Sequence, residues 1–211
     1  MDFKDFKWTV ETKHKITETG IEITPIPGRD YFVNPITDEV TVDSAYFYKE
    51  VEGDFVIRAK VSHDCMSTYD ACVLMAYDND RLWAKACFEK SDFNTNAVVT
   101  VMTNGRSDDA NGVNIDGKEV WLQLARKGNV FAVHYSLDGE EFIMSRLCHL
   151  PMQDKIRVGI SGQCPVGDTL MKNLGLESFD IEELSKNVGV DSFEFLSLEK
   201  YTLSDIRNGN K

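Results

Sequence analysis

From Phe55 to Gly162 apolar and polar residues alternate with period two in short runs, and turn residues separate the runs. No other feature constrains the fold as strongly. Period two sends successive side chains to opposite faces of a strand, whereas a helix needs its apolar residues three and four apart. Phe55, Ile57, Ala59 and Val61 alternate with Val56, Arg58, Lys60 and Ser62, directly after Glu52-Gly53-Asp54. The same pattern predicts strands over 69–77, 81–89, 98–103, 119–126, 130–136, 141–146 and 156–162. Between them stand Asp78-Asn79-Asp80, Asn104-Gly105, Asn111-Gly112, Asp116-Gly117, Gly128-Asn129 and Asp138-Gly139, all turn chemistry. Many short strands at this spacing make a sandwich or a barrel.

A chain of 211 residues fits one large all-β domain, and 42% hydrophobic content is ordinary for a globular core. One short helix is expected over 178–186, capped by Ser178 or Asp180. The tail beyond it keeps Val190, Phe193, Leu196, Leu198, Tyr201, Leu203 and Ile206, too apolar for a disordered segment. The expected organisation is a sandwich over 1–182 and an extension, 183–211, docked on it.

No run approaches the roughly 18 apolar residues of a membrane helix. The opening residues Met1 to Trp8 mix charges with aromatics and give no signal-peptide pattern. Cys65, Cys72, Cys87, Cys148 and Cys164 form neither a C-x-x-C pair nor a zinc spacing, so reduced thiols in a cytoplasmic protein are expected. The net charge of −12 disfavours nucleic acid and anionic membrane, which both need basic patches. No cofactor or metal is expected: Asp78-Asn79-Asp80 and 108–112 lack calcium-loop spacing and read as turns.

Register arguments locate the candidate site. With Asn79-Asp80 as hairpin tip, Tyr77 pairs with Leu82, Met75 with Ala84, Val73 with Ala86 and Ala71 with Phe88, giving one wholly apolar core face. The other face then pairs Ala76 with Trp83, Leu74 with Lys85, Cys72 with Cys87, and Asp70 with Glu89. Two carboxylates directly across a strand pair need a shared proton or a cation, for which Lys85 and Arg126 are candidates. A second hairpin with Gly128-Asn129 at its tip pairs Leu124 with Val133 and Leu122 with Tyr135 on the core face. Its other face pairs Gln123 with His134 and Trp121 with Ser136. The two polar faces together offer Asp70, Trp83, Lys85 and Glu89 with Trp121, Gln123 and His134. Tryptophan platforms among acids and amides are the equipment of a sugar-binding groove.

These residues carry a resemblance. The segments 69–75 and 82–89 (Tyr69-Asp70-Ala71 and Leu82-Trp83-Ala84-Lys85 at their starts), followed by Thr103–Asp108, Val120–Gly128, Phe131–Gly139 and Cys164-Pro165, are similar to one family of domains of unknown function. That family includes the fungal "regulation of enolase" protein, and the likeness runs over roughly residues 5–182. It implies a concanavalin-A-like jelly-roll sandwich and no particular activity. Asp70, Trp83, Lys85, Glu89, Ser107, Asp108 and Arg126 match the family's pattern. Asp109 stands where the family usually has tryptophan, and Gln123 where it usually has arginine.

Three functions fit the sequence. The leading expectation is binding of a carbohydrate or another small polyhydroxylated metabolite without catalysis. A glycan-active hydrolase using Asp70 and Glu89 is the second, although no strand carries the E-x-D-x-x-E spacing and the acidic residues at 177–182 lie outside the clear strands. The third is an interaction protein that modulates a metabolic enzyme, as the name of the fungal relative suggests, with a protein partner or a homodimer.

Overall fold

The structure, a computed structural model, describes residues 2–64, 67–166 and 188–210. The expected helix over 178–186, the acidic residues at 177–182 and Cys65 lie outside these. Two sheets face each other. The larger runs in the order β1 (Lys7–Trp8), β7 (Tyr46–Glu52), β16 (Lys155–Cys164), β9 (Ala71–Asn79), β10 (Leu82–Lys90), β11 (Asn96–Asn104) and β12 (Arg106–Asn114). The short β4 (Ile26–Pro27) pairs parallel with β16. The smaller sheet runs β15 (Ile143–His149), β14 (Val130–Ser136), β13 (Glu119–Lys127), β8 (Phe55–His63), β17 (Asp191–Glu199), β3 (Gly20–Ile23) and β2 (His14–Ile16). A separate hairpin of β5 (Tyr31–Val33) and β6 (Val40–Val42) completes the set. The architecture is the expected all-β antiparallel jelly-roll sandwich. Among the described residues no helix is long and apolar enough to cross a membrane.

The core between the sheets is built by alternation. Phe55, Ile57, Ala59 and Val61 of β8 and Leu122 and Leu124 of β13 meet Cys72, Leu74 and Ala76 of β9 and Ala84, Ala86 and Phe88 of β10. The β13–β14 hairpin has the expected register, Leu122 opposite Tyr135 and Gln123 opposite His134. Gly128 at its tip has φ 59°, a left-handed conformation that costs glycine nothing.

The first hairpin departs from expectation. Leu82 pairs with Asn79, and Trp83 with Tyr77, so Asp78 is left over as a bulge. Beyond it Lys85 faces Met75, Cys87 faces Val73 and Glu89 faces Ala71, one residue out of the expected pairing. Ala84, Ala86 and Phe88 do enter the inter-sheet core. Ala71, Val73 and Met75 are buried too, but on the opposite, outer face. The register argument assumed that the outer face met water. Instead the β5–β6 hairpin and its flanks lie across it, so Tyr31, Val33 and Tyr46 pack on Trp83, Cys87 and Val99. With every residue from Ala71 to Tyr77 buried, apolarity alone favours neither register.

Two other segments differ. Residues 106–114, expected as turns around Asn111-Gly112, form β12, a sheet edge on which only Ser107 is buried. An edge strand with neither face packed has no apolar period to read. The tail does more than dock on the surface, because β17 lies inside the smaller sheet between β8 and β3. Residues beyond it then cross that sheet's outer face, where Leu203 and Ile206 join Val56, Ala125 and Ala132.

Phe193 of β17 is fully buried in the main core. Phe193→Ala is expected to cost about 3–5 kcal/mol, a fall of roughly 10 °C in melting temperature for a domain of this size. Thermal denaturation of the variant checks it; a loss below about 1 kcal/mol, far under the usual range for this truncation, would show that β17 is an accessory to the sandwich and not part of its core.

Candidate functional site

A cleft of about 240 Å3 opens on the outer face of the larger sheet, beside the β5–β6 hairpin. Sheet register sets its contents. On one row of cross-strand neighbours Gln163, Ala71, Glu89 and Ala97 follow one another across β16, β9, β10 and β11. Four residues along, another row runs Met75, Lys85, Val101, Asp109 across β9 to β12. Alternation aims Glu89, Lys85 and Asp109 to the same side. The small side chains of Ala71 and Ala97 leave room above the sheet, and Phe32, Tyr69 and Asp30 complete the walls.

Lys85 organises the polar groups. It is buried, and its ammonium donates to Gln163 Oε1 at 3.0 Å and to Asp30 Oδ1 at 3.3 Å. Burial pushes its pKa down, but Asp30 and the other negative groups around it, Glu89 included, outweigh this and hold it above the usual lysine value. An ammonium only donates, so it fixes the Gln163 amide with its oxygen toward Lys85. The amide nitrogen, Nε2, is left buried with no hydrogen-bond partner among the described residues. A buried donor without a partner is costly in a folded protein and marks a place where something else supplies an acceptor.

Glu89 is half-buried and makes no side-chain hydrogen bond or ion pair among the described residues. Burial first, then Asp109, Asp30 and Asp92, raise its pKa to about 8, although Lys85 pulls the other way. Glu89 therefore holds a proton at neutral pH. Asp109, at the rim, is also held above the ordinary carboxylate value by partial burial, against the pull of Lys85. Tyr69 sits exposed at the mouth with φ 69°, a left-handed conformation that a bulky residue adopts only under constraint; its own amide donates to Lys90 O at 2.7 Å. The site thus offers a donor from Gln163, carboxyl oxygens from Asp109 and Glu89, and two aromatic rings.

Of the seven residues expected to share a face, the structure brings together Lys85 and Glu89. Glu89 lies on the outer face and Asp70 continues the core-facing set of β9, so the two carboxyls point to opposite sides of the sheet, the consequence of the bulge. A buried carboxyl pair does exist, but Asp70's neighbour is Asp191 of β17. Burial and then Asp70 push the Asp191 pKa well above its ordinary value. Arg126 compensates neither, since its guanidinium donates to the carbonyls of Gly128, Asp154 and Gln153 at the far end of the sandwich.

Trp83 is fully buried beneath the β5–β6 hairpin and cannot stack on a ligand. Trp121, Gln123 and His134 lie on the outer face of the other sheet, under the tail. Gln123 Nε2 donates to Gly209 O at 2.9 Å, and His134 Nε2 donates to Ile206 O at 3.1 Å, leaving Nδ1 to accept from Gln123. Burial lowers the His134 pKa to about 4. Trp121 stacks on Phe195 at 5.7 Å. The residues missed by sequence reasoning are Asp30, Phe32, Tyr69, Asp109 and Gln163. Only Tyr69, beside Asp70 in the matching segment, and Asp109, a departure from the family's usual tryptophan, carried any signal. Among the described residues no cluster of three His, Cys, Asp or Glu side chains is arranged to hold a metal ion.

Comparison with known proteins gives the chain its relatives. The model of a family described as "Protein of unknown function (DUF1349)" matches residues 8–182. A solved structure of a functionally unknown protein from Saccharomyces cerevisiae is similar, at TM-score 0.78 and 19% identity over 94% of this chain and 98% of that one. The GH43 protein BlXynB from Bacillus licheniformis matches at TM-score 0.60 and 10% identity, over 93% of this chain but 37% of that one. The carbohydrate binding module CBM66 from Bacillus subtilis matches at TM-score 0.51 and 11% identity, over 92% and 95%. At these identities the likeness is one of fold. No curated protein matches the sequence.

The raised pKa of Glu89 has a measurable consequence. The folded state holds this proton from pH 4.5 up to about 8, where the unfolded chain has lost it. Its contribution to stability is therefore full below pH 4.5 and is lost as pH rises through 8. Glu89→Gln, which cannot titrate, is expected to gain on the native protein across that window by up to about 1.4 kcal/mol per pH unit. Denaturant melts from pH 4 to 9 read the difference; a flat difference would show that Glu89 is ionised in the folded protein.

Proposed function

We propose that this chain, which belongs to the DUF1349 family of proteins of unknown function, binds a carbohydrate or another small polyhydroxylated metabolite without catalysis, in the cleft between Lys85, Glu89, Asp109 and Gln163. The observation that carries this reading is the Gln163 amide nitrogen, buried without a hydrogen-bond partner among the described residues, on a side chain that lines a cleft with aromatic walls. A hydroxyl accepts from that amide and donates to a carboxylate at once, and the apolar face of a sugar ring suits Phe32 or Tyr69. The cleft is smaller than the roughly 300–1,000 Å3 of a drug-sized pocket, which suits one or two sugar units. The carbohydrate binding module among the similar folds agrees with this reading.

Isothermal titration and saturation-transfer NMR against a panel of mono- and disaccharides test it. Phe32→Ala and Gln163→Leu are each expected to weaken the best ligand by about tenfold or more, the usual cost of a central contact. A panel with no binder would overturn the reading and favour the interaction-protein alternative, which a pull-down dominated by one metabolic enzyme would support.

One observation favours glycan hydrolysis as a second reading. Glu89, protonated at neutral pH, is equipped as a general acid. Asp109, not Asp70, is then the second carboxyl on the same face. Incubation with aryl glycosides decides: turnover abolished in Glu89→Gln supports the enzyme, and absence of any turnover removes it.

A further inference from the structure

The charges around the cleft do not balance, and the imbalance describes the ligand. Among the described residues Lys85 is the one cation lining it, and Lys85 is already engaged with Asp30 and the Gln163 side-chain carbonyl. Glu89 and Asp109 remain, lining the same cleft from rows of the sheet four residues apart, with no cation among the described residues paired to either. An acidic pair alone defines no site. The second observation is the Gln163 amide nitrogen, on a residue 2% exposed that lines the same cleft, without a partner among the described residues.

We infer that the cleft takes a small hydroxylated ligand with a free amine, an amino sugar in its chemistry; this rests on the carbohydrate-binding reading above. The ammonium sits against Glu89 and Asp109, and a ring or hydroxyl oxygen accepts from Gln163 Nε2. An N-acetylated sugar lacks the charge. A uronate or sugar phosphate brings an anion toward two carboxyls, with Lys85, the one cation among the described lining residues, already paired to Asp30. The groups facing Glu89 are Lys85, Asp30, Asp109, Asp92 and Tyr69, which are mostly acidic. A cationic ligand therefore favours the ionised form of Glu89, and its arrival expels the proton held there. Binding then releases protons to the buffer.

The experiment is isothermal titration of the full chain at pH 7 with matched sets in the gluco, galacto and manno configurations. Each set holds the 2-amino sugar, its N-acetyl derivative, the parent hexose and the uronate. The expected result is that, in at least one set, the amino sugar binds at least tenfold tighter than the hexose and the N-acetyl sugar. The uronate should be weakest, and protons should be released in buffers of differing ionisation enthalpy. Glu89→Gln and Asp109→Asn are each expected to reduce the amine-to-hexose ratio to within about threefold. Asp109 is exposed on an edge strand, so Asp109→Asn keeps the test valid if the other variant folds poorly. Equal or tighter binding of the hexose, or a preference that survives both substitutions, overturns the inference and leaves the carbohydrate reading standing. Failure of every set to bind overturns both.

Discussion

The ammonium of Lys85 is the interaction on which the site depends. A buried lysine on a sheet face is tolerated only when an opposite charge and hydrogen-bond acceptors surround it. Here Asp30 supplies the charge and Gln163 the acceptor, both on the outer face of the sheet. Asp30 is held in place in turn: its amide donates to Asp43 Oδ1, and its carbonyl accepts from the amides of Asp43 and Ser44. The segment between Asp30 and Asp43 is the β5–β6 hairpin. One ion pair thus fixes the base of the hairpin over the sheet, and the hairpin buries Trp83 and positions Phe32. The same lysine also uses up the carbonyl of Gln163 and so leaves its amide nitrogen unpartnered.

What the sequence disclosed follows from what period two can encode. β8, β13 and β14 carry a period-two pattern from which strands were readable, and the β13–β14 register was readable too, down to Gln123 opposite His134. Ala71 to Tyr77 is apolar throughout, so it announces a strand without saying which face is which. The outcome was settled by Asp78, a single bulged residue at the hairpin end. β12 was unreadable because a polar edge strand buries almost nothing. Half of the site was also beyond reach, since Asp30 and Gln163 come within bonding distance of Lys85 from 55 and 78 residues away. No local pattern links positions so distant.

Trp83 and Trp121 illustrate a related limit. A tryptophan beside charged residues on a strand reads as a platform exposed to ligand. Both faces that seemed open to solvent are covered by other parts of the chain, one by the β5–β6 hairpin and the other by residues 201–210. The cover is close-fitting: a Cβ at Gly209 would lie 2.8 Å from the His134 ring and 2.6 Å from Phe142 Cβ. A sandwich whose outer faces are covered in this way keeps an accessible site only where the cover stops. The edge of the β5–β6 hairpin is such a place, and the cleft lies there.

The expected pairing of Asp70 with Glu89 does not form, because the bulge shifts the register, and the reason each carboxyl is still tolerated is general. Like charges in a sheet are tolerated when protonation removes one of them. The bulge separates Asp70 from Glu89 and gives each a different solution. Asp70 meets Asp191, whose pKa is raised by burial and then by Asp70, and both residues are buried. Asp191 packs so closely against β16 that a Cβ at Gly162 would come within 2.4 Å of its Oδ2, which binds that pair to a residue without a side chain. Glu89 holds its proton beside an open cleft instead. A proton in the core serves the fold alone, whereas a proton at a cleft wall can be exchanged for whatever enters. One kind of strain therefore yields a structural pair on one side of the sheet and a group responsive to ligand charge on the other.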